Sequence, residues 1–190
     1  MRLYAQTRRD IVVSLHDLSG VETLARLAAG EADFPVLSLE GEHPELNVVP
    51  MIDDDLVVIA PLGHPLLAGR AVAGQVTMDE VVRHAVVLPE NDSFVRLAID
   101  SEYTRRGIRL APAFQAHGMS TLQRMVVEGM GIMPAMLIPR EMSAAVGVAR
   151  IRDFRLTRHY VIVSPAKAEM SPAAADFSRF LGSARVDSAV

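Results

Sequence analysis

Two stretches of the chain obey one grammar, and together they limit the fold more than any other feature. Ser19-Gly20-Val21-Glu22 opens a run of apolar-striped turns that stops at Gly30, and Ser120-Thr121-Leu122-Gln123 opens another that stops at Gly129-Met130-Gly131. In each, a serine stands three residues ahead of Glu or Gln, the capping-box spacing that satisfies orphan amides at a helix start. Glycine then supplies the left-handed residue on which helices end. An extended segment precedes each run, Ile11–Leu15 in one case and Ala113–Ala116 in the other. Strand, capped helix and glycine stop, occurring twice, predict two α/β lobes.

The remaining elements follow from the same local rules. Leu56–Ala60 is a continuous apolar run, as a strand covered on both faces requires. Thr77 and Glu80 form a third capping box. Asn91-Asp92-Ser93 offers caps for a helix that ends at Arg105-Arg106-Gly107, and Ser171-Pro172 opens one that turns Phe177, Phe180 and Leu181 inward and closes at Gly182. Residues 2–9 read as the end of a helix anchored by Leu3 and Tyr4, and Val21, Leu24, Leu27 and Ala28 form one helical stripe. Short apolar strands alternating with helices predict parallel sheets. The strands at 56–60 and 160–163 read as crossings between lobes. Lobe I is then residues 1–60 plus 163–190, and lobe II is 61–162.

Composition removes several function classes. In 190 residues, half of them hydrophobic, the chain has ample core for one or two domains. A net charge of −4 and short, scattered arginine clusters are not the basic footprint of a nucleic-acid surface. Arg150, Arg152, Arg155 and Arg158 read as a solvated face. There is no cysteine for disulfide or thiol chemistry. The first ten residues lack the apolar segment of a secretory signal, and no run approaches the ~18 apolar residues of a membrane span. The expectation is a soluble, cytoplasmic chain. The histidines show no metal-ligand spacing, and three consecutive side chains, Asp53–Asp55, cannot all face one ion. Gly129-Met130-Gly131 ends a helix where a dinucleotide fingerprint would start one. With no nucleophile–base pair legible, the chain reads as a binding protein without catalytic residues, metal or cofactor.

The ordered set of motifs resembles the effector-binding domain of the LysR-type transcriptional regulators. The resemblance rests on Ser19 through Asp33, on the apolar strand leading to His64-Pro65-Leu66 and on the Asp92-Ser93-Phe94-Val95-Arg96 helix start. It continues through Val126-Val127-Glu128-Gly129-Met130-Gly131-Ile132, and through Leu156 and Tyr160–Val163 to Met170-Ser171-Pro172. It covers nearly the whole chain. It implies a type II periplasmic-binding-protein fold, two α/β lobes with a central cleft, serving as the sensor of a transcription factor that dimerises through lobe I. The family's helix-turn-helix has no counterpart here, so DNA contact is expected only through a domain outside this chain. The family's first effector-domain strand and most of the next helix also lack a counterpart, which reads as a truncated N-terminus. Where the family places a proline after its Gly-x-Gly, this chain has Met136, with prolines at 134 and 139 instead.

Helix N-termini facing such a cleft present free amides and a positive dipole end, a natural carboxylate receptor. The candidate contacts are therefore Ser19 and Gly20, Ser93 and Phe94, and Ser120 and Thr121. His117 lies at the lip of the second capped helix, and Ile132 and Met133 follow its glycine stop. Arg96 lies one turn inside its helix, within reach of an acidic effector. The plainer reading is that each serine only caps its helix and that His117 and Arg96 are surface residues. Met-rich residues 119–142 are pliable core filler or pocket lining. The function expected is sensing of a small anionic effector to control transcription, as a homodimer or higher oligomer. The alternatives are a solute-binding protein of a transport system and an enzyme on the same scaffold.

Overall fold

The computed structural model describes residues 2–16, 18, 20–39, 41–69, 74–90, 93–136, 138, 142 and 144–183. The chain forms two compact units. Among the described residues, those up to Asp53 and 158–183 make the first, and Asp54–Thr157 makes the second, against expected limits at 60 and 163.

The first unit holds α1 (Arg2–Thr7), α2 (Gly20–Ala28), β1 (Val36–Ser38) and most of β2 (Leu46–Asp55). The second runs through β3 (Val57–Pro61), a 3-10 turn (Pro65–Leu67), β4 (Gln75–Val76), α3 (Met78–Val81), β5 (Val87–Pro89) and α4 (Phe94–Arg105). It continues with β6 (Phe114–Ala116), α5 (Met119–Val127), β7 (Met133–Ala135) and β8 (Val146–Ile151). The chain then returns to the first unit as β9 (Thr157–Pro165) and α6 (Pro172–Ser183).

In the first unit β9 lies between β1 and β2, antiparallel to β1 with Val36 opposite Ile162. Leu27 of α2 packs on Val161 and Val163 with Leu37, Leu39 and Leu46 around them. A second cluster is aromatic: Tyr4 stands 4.7 Å from Phe177 and 4.9 Å from Phe180, ring centre to ring centre. The Tyr4 hydroxyl donates to Asp176 (3.0 Å), which also accepts from the Arg8 guanidinium, so α1 is fastened to α6. Ser171 Oγ accepts the Ala174 N–H as the expected cap, but α6 runs past Gly182 to Ser183.

Two expectations for this unit are corrected. Ile11–Leu15 joins no sheet, and Val12 and Leu15 are 92% and 71% exposed. A strand needs a neighbour's N–H and C=O groups, and the sheet here is built from β1, β9 and β2. The α2 stripe is also only partly used: Leu27 is buried, but Val21 and Ala28 are exposed.

The second unit carries sheet order β4-β8-β3-β7, and a parallel bridge from Val86 to Ile132 sets the pair β5-β6 beside β7. β3 alternates as its apolar run requires. Val58 and Ala60 pack with α3 and α4 residues such as Met78, Val81, Ile99 and Tyr103, while Ile59 packs with Leu122 and Val126 of α5. Here the expectation of parallel sheets is corrected: β3 is antiparallel to both β7 and β8, and among the described residues of this unit the parallel pairings are β4–β8, β5–β6 and the Val86 bridge. β3 carries the chain into the unit and β8 precedes its exit, so the two run in opposite directions.

Candidate functional site

The site is built on two paired strands. β5 and β6 run parallel in register, Val87 opposite Phe114 and Pro89 opposite Ala116, so their carboxyl ends lie side by side. Each strand then leads into a helix start, β5 into α4 and β6 into α5. The carboxyl edge of parallel strands is where open α/β sheets leave room for a ligand. Glu90 and His117, the first residues beyond the strands, approach to 3.7 Å.

What distinguishes these helix starts is their capping. Thr77 shows the ordinary case: its hydroxyl accepts the Glu80 N–H (3.1 Å) and the Glu80 carboxylate accepts the Thr77 N–H (2.7 Å). Ser93 holds the corresponding place before α4 with an extended backbone, yet its side chain makes no cap hydrogen bond. At α5 the capping box expected from Ser120 and Gln123 is not formed. Ser120 is the second residue of the helix, and the cap position belongs to Gly118, which has no side chain to offer. The chain enters the helical conformation two residues earlier than the serine suggests, so the residue at the cap position of α5 offers no side chain. At α5, first-turn amides without a side-chain cap and the positive helix end together favour an anion.

The other expected residues sort by position. Thr121 and Ser120 are exposed and line a groove of about 350 Å³ with Arg124, Met125, Glu128 and Met130, in which Arg124 pairs with Glu128. Phe94 begins α4 and is 38% exposed, and His117 is exposed. Ile132 and Met133 have no exposed surface, and Ile132 spends its N–H on Ala85 and its carbonyl on Val87. As side chains facing a ligand these two are corrected: they are core residues behind the site. Gly20 is exposed at the start of α2 in the first unit. Ser19, Asn91 and Asp92 lie outside the described residues.

A larger groove, about 610 Å³, runs along α4 between Arg96, Asp100, Tyr103 and Thr104 on one side and Ile108–Pro112 on the other. Of the expected contacts it holds Arg96, and that buried cation is already committed: Arg96 donates to Asp100 (2.8 Å) and to the Pro89 carbonyl (3.1 Å). The smaller groove at the uncapped helix start therefore fits the chemistry better.

A family model described as the LysR substrate binding domain matches residues 1–185. The chain belongs to this family. A RuBisCO operon transcriptional regulator of Acidithiobacillus ferrooxidans is 28% identical to it over 167 residues, covering 86% of this chain and 53% of that protein. Among solved structures, the effector binding domain of QuiR in complex with shikimate has a TM-score of 0.70 at 18% identity, covering 95% of this chain and 86% of that one. The Synechocystis PCC6803 CcmR regulatory domain in complex with 2-PG has a TM-score of 0.71 at 23% identity, with the same coverages of 95% and 86%. These structural likenesses establish the fold, the type II periplasmic-binding-protein architecture of LysR effector domains. The chain spans about half the length of the curated relatives it matches.

Within this LysR-family domain, Arg96 takes a role that sequence reasoning missed. It is not held out for an effector; at 6% exposure it ties the first turn of α4 to the end of β5. Its partner at i+4, Asp100, is the signal that was present in the sequence.

Proposed function

We propose that this domain senses a small organic anion at the starts of α4 and α5 and passes its occupancy to DNA-binding parts of a transcriptional regulator acting in the cytoplasm. The observation that carries the reading is the start of α5, whose cap position is a glycine, at the carboxyl end of β6 and beside that of β5. An anion at α5 supplies the first-turn amides with the acceptor that Gly118, having no side chain, does not provide. The relatives are named as transcriptional regulators, and one structural neighbour was captured with shikimate, a carboxylic acid. Ser93, Ser120, Thr121 and His117 supply side-chain contacts around the amides. Binding regulates only through different affinity for two conformational states, so the effector must favour one of them. Among the described residues no helix is long and apolar enough to cross a membrane. The working assembly is a homodimer, for which the exposed Val12, Leu15 and Val21 of the first unit offer an apolar contact.

The test uses Gly118. Its backbone is extended (φ −83, ψ 127), and an added Cβ would meet only the Thr121 hydroxyl, at 3.6 Å. Gly118→Asp therefore adds a cap, worth about a few tenths of a kcal/mol over glycine, and sets a carboxylate on the amides an anion would use. A thermal-shift screen of organic acids finds a ligand, and calorimetry measures it. Gly118→Asp is expected to hold or raise Tm while weakening binding at least tenfold. Thr121→Ala is expected to cost about 1.5–3 kcal/mol of binding, ~10- to 100-fold. Thr77→Ala, the control, loses about 1 kcal/mol of stability and no affinity. Unchanged affinity in Gly118→Asp would remove the α5 start from the site.

A further inference from the structure

The sharpest titratable feature away from the proposed site is a pair of half-buried imidazoles in the second unit. His64 and His84 meet edge to face, ring centres 4.9 Å apart. His64 precedes the 3-10 turn Pro65–Leu67, and its Nδ1 accepts the Leu66 N–H at 3.1 Å. That hydrogen bond fixes the protonation state. Nδ1 must be bare, so the ring is neutral with its proton on Nε2. The turn is anchored on both sides. Leu66 is in the core at 4% exposure, and Leu67 lies so close to Gly147 of β8 that a Cβ there would stand 2.4 Å from it. The Leu62 N–H donates to Ala145, just ahead of β8.

We propose that His64 is an acid-sensitive latch. Protonation converts the acceptor that caps the turn into a donor facing the Leu66 N–H, and the loop around residues 62–69 is released from β8. No hydrogen bond survives between two donors, and the new charge sits beside His84.

Among the described residues no carboxylate is a cause of the His64 shift. Arg150 is the charged residue of β8; it pairs opposite Val57, three rungs from Gly147. From the α3 side come His84 and the exposed Arg83, whose charges oppose another cation, and Asp79 and Glu80. Glu80 is committed to the Thr77 cap. The group whose charge bears on His64 is His84, and burial and that neighbour together hold the His64 pKa below the ordinary histidine range. A histidine whose folded pKa is depressed lets the unfolded chain bind protons first. The stability it confers is complete above the ordinary value of about 6.5 and is lost as pH falls through the folded value.

Long-range nitrogen–proton NMR on the wild-type domain reads the imidazole tautomers through a pH titration. The expected result is a neutral Nε2–H tautomer for His64, a midpoint below that of an ordinary histidine, and a Leu66 amide resonance that moves with the same midpoint. His84→Gln is expected to shift the His64 midpoint upward. His64→Asn keeps an acceptor of a preferred capping type, so its Tm should fall less than that of wild type from about pH 7 to about pH 5. A His64 midpoint at or above the ordinary value, a Leu66 amide that ignores it, or an unchanged pH dependence in His64→Asn would overturn the latch. The first two readouts come from the unmodified protein and do not depend on any variant folding.

Discussion

Thr77 and Gly118 hold the same place before their helices and do opposite things, and the difference shows what single residues reveal. The Thr77 box was legible because cap and Glu80 are both local and the helix begins where the pattern says. The Ser120 box was misread because where α5 begins depends on where β6 ends, at Ala116, which is a tertiary matter. Glu102 is a second residue whose role the sequence hid. Its carboxylate accepts from Arg105 (2.9 and 2.7 Å) and Arg106 (2.7 Å), and Arg106 continues to Asp153, which accepts the Met78 N–H. The two guanidiniums hold the Glu102 pKa at about 2, against an ordinary 4.5. The sign is that of a depressed carboxylate: its stabilisation is full above the unfolded value and is lost as pH drops from about 4.5 toward about 2. Glu102→Gln is therefore expected to lower Tm at neutral pH and to flatten the acid limb of a Tm-versus-pH curve. A variant whose acid limb overlays wild type would show the pairing to be thermodynamically idle.

At the scale of elements, burial explains both what was legible and what was not. β3 could be read because a strand covered on both faces shows its whole apolar run. Ile11–Leu15 looked equally strand-like, but β-branched composition does not supply a hydrogen-bonding neighbour. Strand direction was illegible for the same reason, since β3 meets β7 and β8 across long sequence separations. The Gly129-Met130-Gly131 stop combines two requirements. Gly129 takes φ +79, the left-handed helix end, while Gly131 is needed for closeness: an added Cβ would lie 2.5 Å from the Ala85 carbonyl oxygen. That carbonyl also accepts the Ile132 N–H, so it cannot retreat without breaking the bridge that seats β5 beside β7. Gly131→Ala is expected to cost at least about 1–3 kcal/mol in denaturant unfolding. Because β5 leads into α4, the same substitution should weaken effector binding without touching a ligand. A Gly131→Ala protein as stable as wild type would mean that this junction yields easily.

At the scale of the whole molecule, the exposed apolar side chains decide the last question. Leu3, Val12, Leu15 and Val21 are between 70% and 92% exposed, all within the first unit. Single exposed leucines and valines are unremarkable, but four within twenty residues, three of them on or just after the segment that joins no sheet, are candidates for a contact surface. A second copy of the chain is the cover proposed, in keeping with the LysR family to which the chain belongs. Sedimentation equilibrium at micromolar concentration is expected to give a dimer mass. Val12→Glu with Leu15→Glu should give a monomer with an unchanged thermal midpoint for its own fold, because exposed substitutions usually alter stability by less than about 0.5 kcal/mol. The pairing of results carries the weight: a well-folded monomeric variant locates the contact at this segment. A wild-type chain that sediments as a monomer refutes dimerisation at that concentration. A variant that stays dimeric places the contact on another face.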